Sequence, residues 1–461
     1  MKKLLTAALA LTLLTSCTPA PAVSTGAEFA ELQGAVNLER QSLPEWTDAE
    51  KAAAAPPEDF ASTLTDDEVE TLLTPADSAD SVEAADTAAD MDLFFRALRS
   101  AYGAYWYYGG DDVFLPIREA VLAELADKPP LTGASVGRIL LKHLEPVLKD
   151  GGFAIDGTPV WSEYQTMYYV PELFFAKDDT DAAEYVKPTI NANGEITYCF
   201  AALSVDGGGL PDTATVAGEE KTLEWVQAEA YTPESHPGYE KTATQGIPTL
   251  VCRTLSAERD AQGVEELLST AASWQKELCF ILDLRGNSSG DGTNAAAWFK
   301  TFADSDAPTK EIRLQNTSRL LSAYSQAQSS YDNSSFMDRI AANAGTWTTS
   351  ITEGGQVPSD SLIFVLQDDR VDGAGEDFLK YLSTLENVIF VGGNSKGDAM
   401  MKDTMEFTLP KTGVKVSFGG SLDLFRTTEN TTGTGLRPDL WVPPAEAEAM
   451  VAKMIRFYGL Q

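Results

Sequence analysis

One stretch of the chain combines an apolar strand, a sharp turn and a helix: FVLQDDRVDGAGEDFLKYL, residues 364–382. Serine hydrolases place their nucleophile at such a turn, because the positive end of a helix stabilises the negative charge that develops during acyl transfer. The corner position here is Gly373, which has no side chain. We predict that Asp372 caps a helix starting at Gly373 and that Glu376 lies near its positive end. The stretch has the structural chemistry of a nucleophile turn without the reactive atom.

The elements that position this turn form successive segments of the chain. After residue 246, near-continuous apolar strands alternate with helices, which predicts a parallel sheet covered on both faces over 246–461. Apolar residues at helical spacing predict a small helical domain over 91–155. Short strands with Gly, Pro and Asn-Gly turns predict a β-rich region over 156–245. The chain is therefore expected to be α/β, with its core in the C-terminal half.

The N-terminus predicts an exported protein. Lys2 and Lys3 precede an apolar run too short to span a bilayer, and Leu-Thr-Ser-Cys places Cys17 directly after that run. This order is similar to a bacterial lipoprotein signal, so we expect residues 1–16 to be removed and Cys17 to carry lipid. The protein would then be held on the extracytoplasmic side of the cell membrane. A plain secretory signal is the alternative.

The charge of the chain argues against nucleic acid as a partner. The net charge is −35, from 69 acidic and 34 basic residues, and no basic cluster suits a phosphate backbone, so nucleic acid is not an expected partner. Residues 17–90 are rich in Asp, Glu, Ala and Ser and have few large apolar residues. We therefore expect an acidic disordered tether there, with short helices around 48–54 and 66–73.

Cysteine usage indicates neither a metal site nor a disulfide framework. Cys199, Cys252 and Cys279 remain after Cys17, and their spacing does not match that of a metal site. All three stand in apolar, strand-like surroundings. Buried free thiols and no metal or cofactor are expected, with a single disulfide as the alternative.

Four motifs, taken in order, resemble the tail-specific (C-terminal processing) protease family in its tricorn-core-like form. They are LKDGGFAI (148–155), ILDLRGNSSGDGTNAAAWF (281–299), VIFVGGNSKG (388–397) and GLRPDLWV (435–442). They look like the family's Asp-Gly-His region, its Asp-Leu-Arg-Gly-Asn loop, its Val-Gly-Glu-Asn-Thr-type turn and its closing Gly-Ile-x-Pro-Asp segment. The resemblance implies a crotonase/ClpP-like protease core with an N-terminal helical domain and a β-rich insert.

When the family's motif residues are matched to positions of this sequence, the resemblance implies a serine peptidase site without its reactive groups. The family's catalytic His falls on Gly152, its nucleophilic Ser on Gly373 and its acidic residue on Thr432. Oxyanion-type backbone donors fall near Gly290 and Ala374. Acyl transfer needs a nucleophile and a base within about 3 Å of each other, and glycine supplies neither.

Other residues of suitable chemistry are few, and the local sequence argues against the serines, the lysine and the histidines among them. They are Glu429 near Thr432, the neighbours Ser395 and Lys396, Ser288 and Ser289, and the histidines His143 and His236. Side chains of successive turn residues rarely converge, and the serines at 288 and 289 lie in the oxyanion loop rather than opposite it. One histidine lies on the apolar face of a helix and the other in a turn-rich loop, so a structural or solvated role is expected for both.

Three hypotheses follow. The favoured one is a lipid-anchored pseudo-protease that binds peptide or protein segments in a cleft inherited from a protease. The alternative is an active serine endopeptidase with a rearranged catalytic site, and the third is a structural surface protein. The favoured hypothesis also requires Gly152 and Gly373, which come from different segments, to lie near each other.

Cys17→Ala tests the lipid anchor. Without the thiol no thioether-linked lipid can form, so we expect the variant to be unprocessed or to appear in the soluble fraction after cell lysis and ultracentrifugation. Cys199→Ala is the matched control, because it removes a thiol far from the signal. Unchanged processing and membrane retention of Cys17→Ala would contradict the prediction.

Overall fold

The computed structural model describes residues 26–56, 60, 64–126, 128–232, 238–288, 290–316, 318–327, 347–427 and 431–461. Within these ranges no helix is long and apolar enough to cross a membrane. The predictions made for residues 1–16, Cys17, His236, Ser289 and Glu429 lie outside them.

The elements follow the predicted succession of helices, short strands and alternating strands and helices. The first helices are α1 (Ala27–Gln41), α2 (Asp48–Ala53), α3 (Asp66–Leu73), α4 (Ala84–Ala101), α5 (Asp111–Ala126) and α6 (Gly133–Leu144). The short strands are β1 (Ala154–Ile155), β2 (Thr158–Pro159), β3 (Thr166–Tyr169), β4 (Val186–Ile190), β5 (Ile196–Ser204), β6 (Thr213–Val216), β7 (Glu219–Thr222), β8 (Val226–Gln227) and β9 (Tyr239–Thr244), with a 3₁₀ helix at Ala183–Tyr185.

The C-terminal half contains the longer alternation of strands and helices. Its first elements are β10 (Ile247–Cys252), α7 (Ala257–Trp274), β11 (Cys279–Asp283), α8 (Gly292–Ala303), β12 (Lys310–Asn316), α9 (Arg319–Ala327) and β13 (Trp347–Glu353). They are followed by β14 (Leu362–Gln367), α10 (Ala374–Leu382), β15 (Val388–Gly392), β16 (Met401–Thr408), β17 (Lys415–Phe425), β18 (Leu440–Trp441) and α11 (Ala447–Tyr458).

A six-stranded sheet of order β18-β15-β14-β11-β10-β9 forms the core. Its pairs are parallel except for the edge pair of β9 and β10. Strands β11 and β15 are buried along their whole length, as expected when helices cover both faces. Helices α7, α8 and α10 pack on one face through Trp274, Trp298 and Phe378, and α11 packs with α1 on the other. The predicted α/β class, with a parallel sheet covered on both faces, is confirmed.

A second sheet supports the helical domain and thereby positions Gly152. Its order is β13-β12-β17-β1-β2, with β16 also paired to β17. Tyr102, at the end of α4, packs its ring against Phe153 and Phe418. Asp90 of α4 is buried and accepts hydrogen bonds from the backbone amide and the hydroxyl of Thr412, each at 2.7 Å, in the turn between β16 and β17. A buried carboxylate thus ties the helical domain to this hairpin.

The expectation of a disordered tether is wrong for the described part of residues 17–90. Helix α1 packs Phe29 against Phe364 of β14, with ring centroids 6.0 Å apart, and α3 buries Val69 and Leu72 in the core of the helical domain. The short helices expected around 48–54 and 66–73 are present as α2 and α3. The apolar residues of this segment are too sparse to show periodicity, and they are buried by surfaces that come from distant parts of the chain.

The β-rich region packs against the edges of the core sheet. A third sheet has the order β4-β5-β3-β8, and β6 and β7 form a separate pair. Strand β4 lies beside β18, where the hydroxyl of Thr189 donates to the carbonyl of Trp441 at 2.6 Å. Strand β9 belongs to the core sheet, so that sheet begins before the predicted boundary at residue 246.

The three cysteines that the structure describes are buried and free, which confirms the predicted free thiols. Burial raises the pKa of Cys199, Cys252 and Cys279 to about 12 in each case. At neutral pH these groups are therefore thiols rather than reactive thiolates.

Asp90→Ala should lower the free energy of unfolding by about 2–4 kcal/mol, because it leaves buried backbone amides without an acceptor and removes charge-assisted hydrogen bonds. Urea denaturation followed by circular dichroism measures the change. Asp86→Ala is the control, since Asp86 is exposed on the same helix, and it should change stability by less than about 0.5 kcal/mol. Equal effects of the two substitutions would show that Asp90 does not hold the hairpin.

Candidate functional site

The strand-to-helix corner at residue 373 has the backbone of a nucleophile turn. Gly373 is the N-cap residue of α10 and has φ 53° and ψ −108°, a conformation that L side chains rarely adopt. A side chain placed there would project into open space, since no atom lies within 4 Å of its Cβ position. The amide of Ala374, the first residue of α10, has no acceptor within the helix. The corner is therefore open, and a backbone donor lies beside it.

The predicted capping role of Asp372 is wrong. Helix α10 begins at Ala374 and has no side-chain cap. The carboxylate of Asp372 instead forms an ion pair with Lys396, at 2.6 Å between Oδ2 and Nζ. The ammonium of Lys396, in the turn after β15, is a stronger partner for this carboxylate than a backbone amide would be. The spacing of the two residues in the sequence does not reveal this contact.

The loop after β11 packs directly against this corner, as the resemblance implied. The backbone carbonyl of Asn287 accepts from the amide of Asp372 at 3.0 Å. Gly375 passes so close to the same carbonyl that a Cβ would lie 2.4 Å from it. Gly290 has φ 127° and forms an isolated bridge with Leu255. The two predicted oxyanion-type positions, Gly290 and Ala374, thus belong to segments that meet, while Ser288 is exposed to solvent.

Gly152 lies at the end of the helical domain, where Asp150 organises the backbone. The carboxylate of Asp150 accepts from the amides of Gly152 and Phe153, at 2.9 and 3.1 Å, and from the hydroxyl of Tyr102 at 2.9 Å. Burial raises the pKa of Asp150 to about 6, and the negative charge of Asp398 adds to this shift. The end of the helical domain therefore lies within electrostatic reach of the turn after β15.

Contacts of Tyr164 and Lys396 link the segments that carry the two glycine positions. A Cβ at Gly151 would overlap the Tyr164 hydroxyl, so this hydroxyl lies directly on the backbone beside Gly152. The ammonium of Lys396 is 5.1 Å from the centroid of the Tyr164 ring. Since Lys396 also contacts Asp372, a continuous chain of contacts runs from Gly151 to the corner. This arrangement supports the expectation that Gly152 lies near Gly373. Tyr164, in the β-rich region, carried no sequence signal for this role.

Charge in this cleft is dominated by carboxylates. Lys396 pairs with Asp372 and, at 3.4 Å, with Asp398. Burial lowers the pKa of Lys396, but the hydrogen bond and charge of Asp372 outweigh it and the net shift is upward. Burial raises the pKa of Asp398. The cation therefore stays charged at neutral pH and cannot act as a general base.

Ser395 does not face Lys396. Its hydroxyl is fully buried, donates to the carboxylate of Glu376 at 2.6 Å and accepts from the amide of Leu436 at 2.8 Å. Glu376 also accepts from the amides of Gly397 and Asp398, and burial raises its pKa to about 7. The serine and its carboxylate neighbour form a structural link with no access for a substrate.

The other candidates lie away from the cleft or carry no suitable group. His143 is paired with Glu124, at 2.8 Å between Nε2 and Oε2, on the surface of the helical domain. Thr432 is half-buried in the loop before β18. In the part of the chain that the structure describes, no group of three or more His, Cys, Asp or Glu side chains is suited to hold a metal ion. At positions 152, 373 and 432, where the protease family has its catalytic residues, the described residues provide backbone donors and nearby charges. They do not provide an exposed nucleophile beside a base.

Comparison with known proteins gives one family match and several similar solved structures. The model of peptidase family S41 matches residues 250–442. No curated protein matches the chain. Among solved structures, mature CPAF is 10% identical, with 82% of this chain and 98% of that one covered and a TM-score of 0.44. A putative peptidase from Parabacteroides merdae is 15% identical over 78% of this chain and 90% of its own, with a TM-score of 0.41.

A third solved structure, the photosystem II D1 C-terminal processing protease, is 14% identical, covers 78% of this chain and 93% of its own, and has a TM-score of 0.37. The family match spans β11, β14 and β15, the loops that follow them and the Gly373 corner. The model of peptidase family S41 thus matches residues 250–442, which include three of the four motifs that resemble the tail-specific protease family.

Proposed function

We propose that this protein is an extracytoplasmic lipoprotein that binds peptide or protein segments in a tail-specific protease cleft and does not cleave them. The observation that carries the proposal is the open corner at Gly373. Backbone conformation, helix N-terminus and adjoining loop are those of a nucleophile turn, and the residue at the turn has no side chain.

The chemistry of the cleft supports inactivity. Hydrolysis of an amide through an acyl-enzyme needs a nucleophile activated by a base. The matching positions hold Gly373 and Gly152, and the cation nearest the corner, Lys396, is committed to Asp372. Ser395 is buried behind this pair. Each group that the family uses for bond cleavage is thus replaced by a group that only shapes or charges the cleft.

Peptide binding needs none of the lost groups. Donors at the start of α10 and in the loop containing Gly290 suit a peptide carbonyl or carboxylate, because helix N-termini favour negative charge. Main-chain pairing with an exposed strand edge is a further source of affinity that depends little on peptide sequence. A cleft with these backbone donors and an exposed strand edge can therefore bind a peptide without a nucleophile.

Location at a membrane rests on the N-terminal sequence alone. Lipid on Cys17 would place the folded protein on the extracytoplasmic side, where peptide or protein segments at the cell surface are the available ligands. A tether over residues 17–90 would leave a long free spacer between the lipid and the folded protein. Because residues 26–56 pack against the folded part, the spacer is shorter than that.

We expect the purified protein not to react with a fluorophosphonate probe and not to hydrolyse casein. Backbone donors and binding alone leave about a thousandfold acceleration over water, which is too slow to detect for an amide. Intact-mass spectrometry after probe treatment measures labelling. Stoichiometric labelling of one serine would contradict the proposal, favour the active-peptidase alternative and identify its nucleophile.

The control for the lack of fluorophosphonate labelling is to restore the family's serine and histidine one after the other. Gly373→Ser alone should remain inactive, because no base lies opposite it. Gly373→Ser with Gly152→His has the better prospect of slow fluorophosphonate labelling. Gly246→Ser is the matched control, because Gly246 also has positive φ and open space around its Cβ position; it carries similar backbone strain and should stay unlabelled.

Filling the corner should weaken ligand binding without unfolding the protein. We expect Gly373→Phe to weaken the binding of fluorescein-labelled, unfolded casein at least about tenfold in an anisotropy titration. Gly246→Phe, at a position of similar strain, should bind casein as the unchanged protein does. Equal binding by both variants would show that the corner is not part of a peptide site.

A further inference from the structure

A short segment without regular secondary structure, residues 161–165, lies between β2 and β3. We call it the strap. Its side chains Ser162 and Glu163 are exposed, whereas Trp161 and Tyr164 are half-buried. The two aromatic rings contact each other edge to face, with their centroids 4.8 Å apart. The strap therefore directs an aromatic pair towards the protein and polar side chains towards the solvent.

Both aromatic residues of the strap lie against glycine backbone. A Cβ at Gly151 would overlap the Tyr164 hydroxyl, and a Cβ at Gly433 would overlap the Trp161 ring. These glycines adjoin positions 152 and 432, where the resemblance places the family's histidine and its acidic residue. Because the two glycines have no side chain, the strap contacts the backbone directly beside both positions.

Tyr164 also contacts the side of the cleft that carries the corner at Gly373. Its ring centroid lies 5.1 Å from the ammonium of Lys396, and this ammonium is paired with Asp372, the residue before the corner. Burial raises the pKa of Tyr164, and the charge of Asp398 and a hydrogen bond to it raise the pKa further, so the hydroxyl stays protonated at neutral pH. The strap is thus linked to the third family position as well.

Few backbone hydrogen bonds hold the strap in place. The amide of Gln165 donates to the carbonyl of Gly433, and the side-chain amide of Asn394 donates to the carbonyl of Gln165, each at 2.8 Å. Among the described residues, no backbone–backbone hydrogen bond involves residues 161–164. A segment held mainly by side-chain contacts opens locally at a lower free energy than a paired strand. Residues 161–164 can therefore be displaced while residue 165 stays attached.

We infer that the strap is an inhibitory contact: Trp161 and Tyr164 occupy part of the cleft in which a peptide segment binds, and the ligand must displace them. The inference rests on the proposed peptide binding and adds how that binding is limited. A peptide that extends from Gly373 towards Gly152 meets Tyr164, because Tyr164 contacts both sides of the cleft. When only a fraction of the molecules has the strap displaced, the apparent affinity falls by that fraction.

The test is an anisotropy titration of fluorescein-labelled, unfolded casein with a variant that carries both Trp161→Ala and Tyr164→Ala. We expect this strap variant to bind casein at least about tenfold more tightly than the unchanged protein. The matched control carries both Tyr185→Ala and Trp225→Ala. These half-buried rings of the β-rich region also contact each other, with centroids 5.8 Å apart, and the control should bind casein as the unchanged protein does.

Gly151→Ala displaces the strap without changing its sequence. The added methyl group overlaps the Tyr164 hydroxyl, and Gly151 has no positive φ that would strain an alanine. We expect this variant to bind casein at least about threefold more tightly than the unchanged protein. In the strap variant the same change should have no further effect, because both changes act through one contact.

Equal or weaker casein binding by the folded strap variant would overturn the inference and leave the proposed function standing. Casein binding by the strap variant alone would support the inference and show that the strap closes the cleft completely. If neither protein binds casein, the proposed function fails and the inference fails with it. If circular dichroism shows that the strap variant does not fold, Gly151→Ala decides, and an unchanged affinity overturns the inference.

Discussion

The buried carboxylate of Glu376 is the interaction on which the arrangement of the cleft depends. It projects from the first turn of α10 and accepts hydrogen bonds from the hydroxyl of Ser395 and from the amides of Gly397 and Asp398. A fully buried carboxylate is tolerated only when such donors surround it. One side chain therefore fixes the position of the corner helix relative to the turn that carries Lys396, and the ion pair of Lys396 with Asp372 follows from that position.

This framework fixes the backbone of the corner independently of the side chain at residue 373. The positive φ at residue 373 costs a side-chain-bearing residue about 1–3 kcal/mol, a strain that enzymes accept at a nucleophile. Glycine adopts the same conformation without that cost, so Gly373 occupies the corner without strain. The backbone of the corner is thus compatible with the match to the S41 family model, whereas the proposed loss of cleavage rests on the residues at 152 and 373.

The N-terminal segment and the β-rich region extend the structure beyond the protease core. Helix α1 covers one face of the core sheet, and β4 lies beside its edge strand β18. Helix α1 is held to the core by Phe29 against Phe364 and by the ion pair of Arg40 with Asp439, and β4 by the hydrogen bond of Thr189 to Trp441. A cavity of about 750 Å³, lined in part by residues of α1, β4 and β5, lies where these parts meet.

The sequence by itself determined the alternation of buried strands and helices in the core, the succession of helical, β-rich and α/β segments and the glycine at the corner, because these depend on local periodicity and on residue identity. It did not determine the docking of residues 26–56, since sparse apolar residues such as Phe29 acquire a partner only when distant strands assemble. Only the tertiary structure decided that Asp372 pairs with Lys396 instead of capping α10, and that Tyr164 contacts both Lys396 and the backbone at Gly151. Those contacts join segments far apart in sequence. Their free energies depend on burial and on neighbouring charges, which are set by the tertiary structure and not by the local sequence.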